Sequence, residues 1–425
     1  MTSTLSPAQM GEAARQILIG NDRGGYTVPN GRVYPFQWNW DSALVALGFA
    51  TFDLDRAWRE VETLFKAQWP DGFLPHIVFW QDDAGYFPGP SVWASGRTPP
   101  TSGITQPPVA ASVVRRLWDE HEQAGYRERL AVLFPKLLAW HRWFHQYRDP
   151  QKKGVVVAMH PWETGRDNSA EWDGPASAVD VSRVGEYQRR DTSHLDQSMR
   201  PTKLDYDRYL AIVQFGRASG WNHQTITDSN PFRVADVGMT MILLRANRDL
   251  LALAKVLGDA AAEREIQSWL DLGPVAGDYL WDESLQAYGS RDIITGKPCG
   301  ALTSGSFLNF YGDVRHAERD RIMLAHAERI SGKVGHMVPS LDPDDPRFEP
   351  MRYWRGPVWA VVNFLIGSGF AMAGHDDWAA RVRRDTRELI ATTGFHEAYN
   401  PLTAAPSGGD DFSWTAAIWL AWAGR

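Results

Sequence analysis

Apolar side chains recur at helical spacing along most of this 425-residue chain. After Ser6-Pro7, a pair typical of a helix start, Met10, Ala14 and Leu18 share one helical face. No alternating strand–helix pattern appears, and helices in consecutive pairs predict an all-α toroid of inner and outer helices. Periodicity alone does not fix the number of pairs. The predicted helices cover about 54–65, 107–123, 127–147, 205–219, 231–257, 259–281, 314–331, 357–373, 376–392 and 412–424, with shorter ones near Asp41 and over 301–310.

Two long stretches, about 69–106 and 150–203, interrupt this series of helices. Loops longer than about fifteen residues in a compact domain are usually functional or disordered. Both stretches contain many aromatic residues, which argues against disorder. We therefore expect two ordered loop insertions that build a ligand site on one face of a single domain spanning 1–425.

Charge and cysteine content limit the partners and the compartment. With 44 Lys and Arg against 51 Asp and Glu, the net charge of -7 argues against nucleic-acid binding and favours a small-molecule ligand. Cys299 is the only cysteine, which fits a reducing compartment, and its Gly/Pro-bounded loop favours an ordinary thiol over a nucleophile. No signal peptide or membrane span is recognisable, so a cytoplasmic protein is expected, and exposed helices are compatible with a homo-oligomer.

The chain contains 20 Trp, an unusual number. Indole faces stack on the C–H faces of sugar rings, although a single Trp more often fills a helical core. The segment 34–41 alternates aromatic and polar residues, with Tyr34, Trp38 and Trp40 preceding Asp41. Asp41 is interpreted either as a helix cap or as an acceptor for two sugar hydroxyls.

Two further segments join carboxyl groups to aromatic residues. In 160–169, Glu163 and Asp167 sit in a loop beside Trp162 and Arg166, with Gly165 between the two carboxyl groups. An aromatic neighbour that shields a carboxyl raises its pKa, so that it can donate a proton. The alternative is a turn that caps a helix. In 394–401, Glu397 lies where a helix closes and a polar loop opens, and a lone Glu near a helix end is usually a surface residue.

The segment 351–359 brings arginine donors and aromatic faces together immediately before a helix. It contributes five candidates for substrate contacts. These are Tyr353, Trp354, Arg355, Gly356 and Trp359.

Metal and nucleophile motifs are absent from the sequence. There is no His-Glu-x-x-His, no Cys/His cluster, no Gly-x-Ser-x-Gly and no phosphate-binding glycine loop. We therefore expect no metal and no cofactor.

Taken together, the segments 38–41, 162–169, 353–359 and 396–401 resemble glycoside hydrolase family 63, whose clan also holds trehalases and glucoamylases. They span nearly the whole chain in the family's order. The resemblance implies an (α/α)6 barrel and inverting hydrolysis of an α-linked sugar, with Asp167 as general acid and Glu397 as general base. Inversion requires the two carboxyl groups about 6.5–9.5 Å apart, with room for a water.

The short chain resembles the bacterial subgroup that hydrolyses mannosylglycerate and glucosylglycerate, which are compatible solutes. A glycerate aglycone needs a guanidinium or several neutral donors. Arg200 fits this need, but a surface ion pair is an equal alternative for it. The remaining candidates for substrate contacts are Tyr206, Tyr86, Gln106 and, for sugar hydroxyls, His76.

Three other functions stay open at this point. The nearest is an α-glucosidase acting on short neutral oligosaccharides. A sugar 2-epimerase would use paired histidines, for which His76, His160 and His396 are available. A non-catalytic sugar-binding protein would tolerate loss of both carboxylates.

Overall fold

The computed structural model describes residues 5–83, 85–121 and 125–425. Its helices confirm the predicted all-α class, while residues 1–4 and the end of the predicted helix 107–123 lie outside the described residues. In chain order the α-helices are α1 Pro7–Asn21, α2 Asn39–Phe49, α3 Leu54–Leu64, α4 Pro90–Trp93, α5 Ala110–Glu120, α6 Arg127–Tyr147, α7 Asp173–Ser177, α8 Asp191–His194, α9 Lys203–Ala218, α10 His223–Ser229, α11 Val237–Leu257, α12 Ala260–Leu270, α13 Gly273–Leu280, α14 Ala317–Ser331, α15 Ala360–Met372, α16 Asp376–Thr393 and α17 Ser413–Ile418.

Among the residues that the structure describes, six segments form a closed inner ring. Helix α2 packs against α5, α5 against α11, and α11 against the 3-10 helix Ser304–Asn309; that helix packs against α15, α15 against α17, and α17 against α2 again. Outer helices pack on members of this ring, and each outer helix forms a pair with one inner helix. Such pairs include α3 on α2, α12 on α11 and α16 on α15. The predicted toroid is therefore confirmed, and its inner members number six.

Several boundaries differ from the predictions for identifiable reasons. The helix predicted over 231–257 begins at Val237, because 234–236 pair as a strand. The helix predicted over 259–281 divides at Asp271-Leu272, where Pro274 begins a new helix. Helix α10 was not predicted, and the last helix continues as a π-helix over Trp419–Ala423.

Short strands join the loops to the ring. They are β1 Gln37–Trp38, β2 Ile77–Val78, β3 Val156–Ala158, β4 Val234–Asp236, β5 Trp281–Asp282, β6 Ala287–Tyr288, β7 Arg291–Asp292, β8 Ala398–Tyr399 and β9 Pro406–Ser407. All pairings are antiparallel, in the orders β1-β2, β3-β4-β7, β5-β6 and β8-β9. Further 3-10 helices cover Phe65–Ala67, Pro161–Thr164, Ala170–Trp172 and Gln197–Met199.

The inner helices begin at the same end of the ring. The predicted site motifs immediately precede or begin these helices: 38–41 at α2, 353–359 at α15 and Gln106 just before α5. Backbone N–H groups at helix starts carry partial positive charge, so this end favours polar and negatively charged groups. One apolar cluster includes residues from Met10 to Ala423, and the single domain spanning 1–425 stays a prediction.

The buried Arg166 connects three parts of this end of the ring. Its guanidinium is paired with Glu171, lies 2.6 Å from Asp236 Oδ2 at the start of α11, and donates to Thr303 Oγ1 at 3.0 Å. Charges taken out of water are tolerated only when they are paired and hydrogen-bonded. This ion network therefore fixes the segment that carries Asp167.

We predict that Arg166→Met lowers the free energy of unfolding by about 3–5 kcal/mol, because it leaves buried carboxylates without their cation. Arg142, which forms an ion pair with Glu265, provides the matched control. The side chains of Arg142 and Glu265 are 50% and 33% exposed. Arg142→Met should cost less than about 1 kcal/mol. Urea unfolding of both variants measures the difference, and equal losses would contradict a special role for Arg166.

Candidate active site

A cavity opens where the inner helices begin, and about 840 Å³ of space not filled by protein lies within it and its open mouth. Both long loops contribute to the wall, as predicted. The predicted residues that line the cavity are Tyr34, Trp38, Trp40, Asp41, His76, Tyr86, Gln106, Trp162, Gly165, Asp167, Arg200, Tyr206, Tyr353, Trp354 and Glu397.

Three predicted contact residues lie outside this lining. Arg355 turns to Asp173 and forms an ion pair with it. The N–H of Gly356 donates to Ser340 Oγ at 2.8 Å. Trp359 stacks behind Trp354 with ring centroids 3.8 Å apart, so these residues support the wall rather than form it.

Asp167 reaches the cavity because the backbone turns at Gly165. That residue has φ +68°, and a Cβ there would lie 2.6 Å from the Trp40 ring, so only glycine fits. Tyr209 fixes the turn by donating from its hydroxyl to the Asp167 carbonyl at 2.8 Å. The motif thus places the Asp167 carboxyl in the cavity. The Glu163 side chain is instead fully buried and pairs with Arg148.

The environment of Asp167 favours its protonated form. Burial raises the pKa of this carboxyl to about 7; the Arg200 charge opposes the rise and the Glu397 charge adds to it. A carboxyl with this pKa holds its proton on roughly half of the molecules at neutral pH. Asp167 is therefore suited to proton donation.

Glu397 faces the same cavity in a different environment. Its Oε1 accepts from the Tyr34 hydroxyl at 3.0 Å, and its Oε2 accepts from the Gly409 N–H at 3.1 Å and faces Arg200 Nη1 at 3.5 Å. Donors of this kind stabilise negative charge on a carboxylate. Glu397 is therefore suited to act as a base, and it is a buried residue rather than a surface one.

Arg200 is likewise buried, which rules out the alternative of a surface ion pair. Its Nε donates to Asp191 Oδ2 at 3.0 Å and its Nη2 to the Tyr34 hydroxyl at 2.7 Å. The guanidinium lies over the Tyr353 ring, 3.9 Å from the centroid. A fixed positive charge therefore forms part of the cavity wall.

Aromatic rings and one carboxyl form the deepest part of the wall. Trp40 lies edge-on to Trp414 and tilted against Trp354, and Asp41 sits in the first turn of α2 beside them. Burial raises the pKa of Asp41 well above its usual value, with further contributions from Glu397 and Asp167. A raised pKa favours the protonated form of Asp41, which donates as well as accepts hydrogen bonds.

The histidines do not form an acid–base pair. Burial lowers the pKa of His76 well below its usual value and that of His160 to about 3. His160 uses both ring nitrogens, with Nδ1 accepting from the Trp162 N–H and Nε2 bonded to the Tyr209 carbonyl. His396 is not part of the lining. This arrangement argues against the epimerase alternative.

Sequence reasoning missed several lining residues. Asp191 and Arg190 lie in a charged run without a motif, and only their place inside the long loop 150–203 marks them. Phe412 and Trp414 repeat the aromatic spacing of Trp38 and Trp40 at the start of an inner helix, a signal that could have found them. The other unpredicted lining residues are Pro29, Val33, Ile77, Phe87 and Pro88.

Within the described ranges, no group of three or more His, Cys, Asp or Glu residues is placed to hold a metal ion. No helix in the described part of the chain combines the length and the apolar character needed to cross a membrane.

A model of the mannosylglycerate hydrolase MGH1-like glycoside hydrolase domain matches residues 34–415. The chain belongs to this family. It is a glycoside hydrolase, and the resemblance to glycoside hydrolase family 63 is confirmed.

Curated relatives match over almost the whole hydrolase. Mannosylglycerate hydrolase MGH1 of Selaginella moellendorffii is 46% identical over 421 residues, covering 99% of this chain and 86% of the relative. Mannosylglycerate hydrolase of Thermus thermophilus is 46% identical, covering 96% and 99%. Glucosylglycerate hydrolase of Mycolicibacterium hassiacum is 34% identical, covering 99% of each.

Solved structures agree with the fold of the hydrolase. The GH63 mannosylglycerate hydrolase from Thermus thermophilus, in complex with Tris and D-glycerate, has a TM-score of 0.94 at 46% identity, covering 97% of this chain and 99% of that one. Neutral trehalase Nth1 from Saccharomyces cerevisiae, at 15% identity and TM-score 0.59, covers 93% of this chain and 72% of its own, and shares the fold alone. The α/α barrel is therefore confirmed.

We predict that Gly408→Ala displaces Glu397 and lowers kcat for glycoside hydrolysis about 100-fold, since misplacement of a reacting group by an ångström has such effects. A Cβ at Gly408, where φ is +77°, would lie 2.2 Å from Glu397 Oε2. Gly258 has the same φ of +77° and nothing within 4 Å of a Cβ, so Gly258→Ala is the matched control. It should lose about 1 kcal/mol of stability, from the left-handed backbone, and keep its kcat. Equal kcat losses in both variants would show that strain, not contact with Glu397, is responsible.

Proposed function

We propose that this hydrolase cleaves an α-linked hexose from glycerate by an inverting mechanism, with Asp167 as general acid and Glu397 as general base. The observation that carries the proposal is one cavity in which a carboxyl with a raised pKa and a carboxylate with three donors lie beside a buried guanidinium. Relatives named for the hydrolysis of mannosylglycerate and glucosylglycerate support the choice of substrate.

The reaction is a single displacement, in which Asp167 protonates the glycosidic oxygen as the bond to the anomeric carbon breaks and water attacks that carbon from the opposite face. The leaving glycerate then departs as a neutral alcohol at that oxygen, which removes the need to expel an alkoxide. Burial raises the pKa of Asp167, so that a substantial fraction of the molecules holds the proton that it donates. The carboxylate produced on Asp167 faces Arg200, which stabilises the new charge.

Glu397 accepts a proton from a water molecule that attacks the opposite face of the sugar ring. The Tyr34 hydroxyl and the Gly409 N–H orient its carboxylate. Trp38, Trp40, Trp162 and Trp354 supply faces against which the ring packs, and Asp41 and His76 contact its hydroxyls.

The carboxylate of glycerate is bound by Arg200, with Tyr86, Gln106 and Tyr206 as neutral neighbours lining the same cavity. Gln106 is held in place because its Oε1 accepts from the Trp40 N–H at 3.1 Å. Arg355, Gly356 and Trp359 act indirectly, by fixing Tyr353 and Trp354. Mannosylglycerate is the preferred substrate in this proposal, because the relatives at 46% identity are named for it.

Two further expectations stay predictions. The single cysteine is compatible with a reducing, cytoplasmic compartment. Formation of a homo-oligomer remains to be measured by light scattering.

We predict that purified protein hydrolyses mannosylglycerate or glucosylglycerate with early release of the β-anomer, followed by NMR. Asp167→Asn and Glu397→Gln should each lower kcat by about 10²–10⁴-fold while sugar affinity is mostly retained. Glu265→Gln, at a partly exposed carboxylate in an ion pair with Arg142, is the isosteric control. Wild-type rates in either site variant would remove that residue from its role, and early α-anomer would contradict inversion.

We predict that Arg200→Ala raises KM for glycerate conjugates more than for neutral α-glucosides, because only the former carry a carboxylate for it to bind. Since Arg200 also contacts Glu397 and Tyr34, kcat should fall for both substrates. Steady-state kinetics on a mannosylglycerate and α-glucobiose pair separates the two effects. An equal rise of KM for both substrates would contradict carboxylate binding by Arg200.

A further inference from the structure

Arg200 has N–H groups that can donate hydrogen bonds to a ligand. A guanidinium carries five N–H groups, and its hydrogen bonds to described residues use one each on Nε, Nη2 and Nη1. One N–H on each Nη is therefore left, and the side chain lines the cavity. A carboxylate can bind these groups without displacing Asp191, Tyr34 or Glu397.

The same guanidinium acts on the proton of Asp167. Its charge lowers the pKa of Asp167 against the larger effect of burial, and the charges of Glu397 and Asp191 raise it. These groups come from three separate parts of the wall. The other titratable groups that interact with Asp167 are Asp41 on α2, Tyr209 on α9, Tyr353 before α15 and Tyr86 in the loop 69–106.

Binding of an anion at Arg200 therefore changes the balance of charge around Asp167 by one unit. We propose that the carboxylate of the substrate, bound at Arg200, takes part in acid catalysis. Bound glycerate offsets the Arg200 charge and thereby holds the proton on Asp167. The proposal rests on the proposed function, because it takes Asp167 as the acid and glycerate as the aglycone. It assigns to Arg200 a role in turnover beyond that of binding.

This coupling predicts selectivity in kcat as well as in KM. A neutral aglycone adds no negative charge beside Arg200, so the pKa of Asp167 stays at about 7, as in the free enzyme. A negative charge added near a carboxyl disfavours its ionised form and raises its pKa by about one unit. At pH 8 that shift increases the protonated fraction of Asp167, and with it kcat, about fivefold for a glycerate conjugate over a hexosylglycerol.

Asp191 is the positioning residue in this arrangement. It binds Arg200 and Arg189, and although burial alone would raise its pKa, these two guanidinium groups lower it to about 2, so it stays ionised. Asp191→Asn removes one negative charge near Asp167 and one competitor for Arg200. The alkaline limb of kcat/KM should then move to lower pH and KM for the glycerate conjugate should fall. A role limited to folding would change Tm without moving that limb.

The deciding experiment is isothermal titration of the full chain with D-glycerate at pH 7.5, in two buffers of different ionisation enthalpy. Wild-type protein should take up about half a proton per glycerate bound, since the pKa of Asp167 moves from below that pH to above it. Asp167→Asn should bind glycerate without proton uptake. Glycerol, which lacks the carboxylate, is the ligand control and should cause no uptake.

Kinetics of the wild type give a second test that needs no variant. For the glycerate conjugate the alkaline limb of kcat should lie about one pH unit above that of kcat/KM, and for hexosylglycerol the two limbs should coincide. Glycerate binding without proton uptake, or coincident limbs for both substrates, would overturn the coupling and leave the proposed function intact. Absence of both glycerate binding and hydrolysis of glycerate conjugates would instead overturn the proposed function.

Discussion

The buried ion network of Arg166 determines where Asp167, the proposed acid of this hydrolase, points. Arg166 and Asp167 are consecutive and face opposite ways, one into the protein and one into the cavity. Arg166 connects the long loop 150–203 to the start of α11 and to the inner 3-10 helix. Because an unpaired buried charge is so unfavourable, the loop has one stable position on the ring. The other wall residues are arranged around that fixed point.

The two proposed catalytic carboxyl groups differ because their surroundings differ. Asp167 lies in a buried place where its charge is disfavoured, while Glu397 receives a phenol, a backbone N–H and a guanidinium. Such contrasts separate the roles of acid and base in one site. Arg200 acts on both carboxyl groups. It lies 3.5 Å from Glu397 Oε2, and its positive charge opposes the rise in the pKa of Asp167.

The sequence identifies most of the site because its motifs precede or begin inner helices, where the chain enters the cavity. Side-chain direction is less predictable. Arg355 and Trp359 belong to the same motif as Tyr353 but turn behind the wall, and no local pattern distinguishes them. Asp191 was missed because its function depends on Arg200, nine residues away across a loop. The start of α11 was misplaced because the pairing of β4 with β3 is a long-range contact.

The last helix completes the ring, and this has a consequence for biosynthesis. Helix α17 packs between α15 and α2, and α1 packs on α17, so the beginning and the end of the chain meet. Tyr34 and Glu397, which share a hydrogen bond, are 363 positions apart. Contacts so distant along the chain form late and slowly. A nascent chain on the ribosome therefore holds an open arc of helices with its apolar edge uncovered. The cavity wall is complete only after the residues through Trp414 have been synthesised.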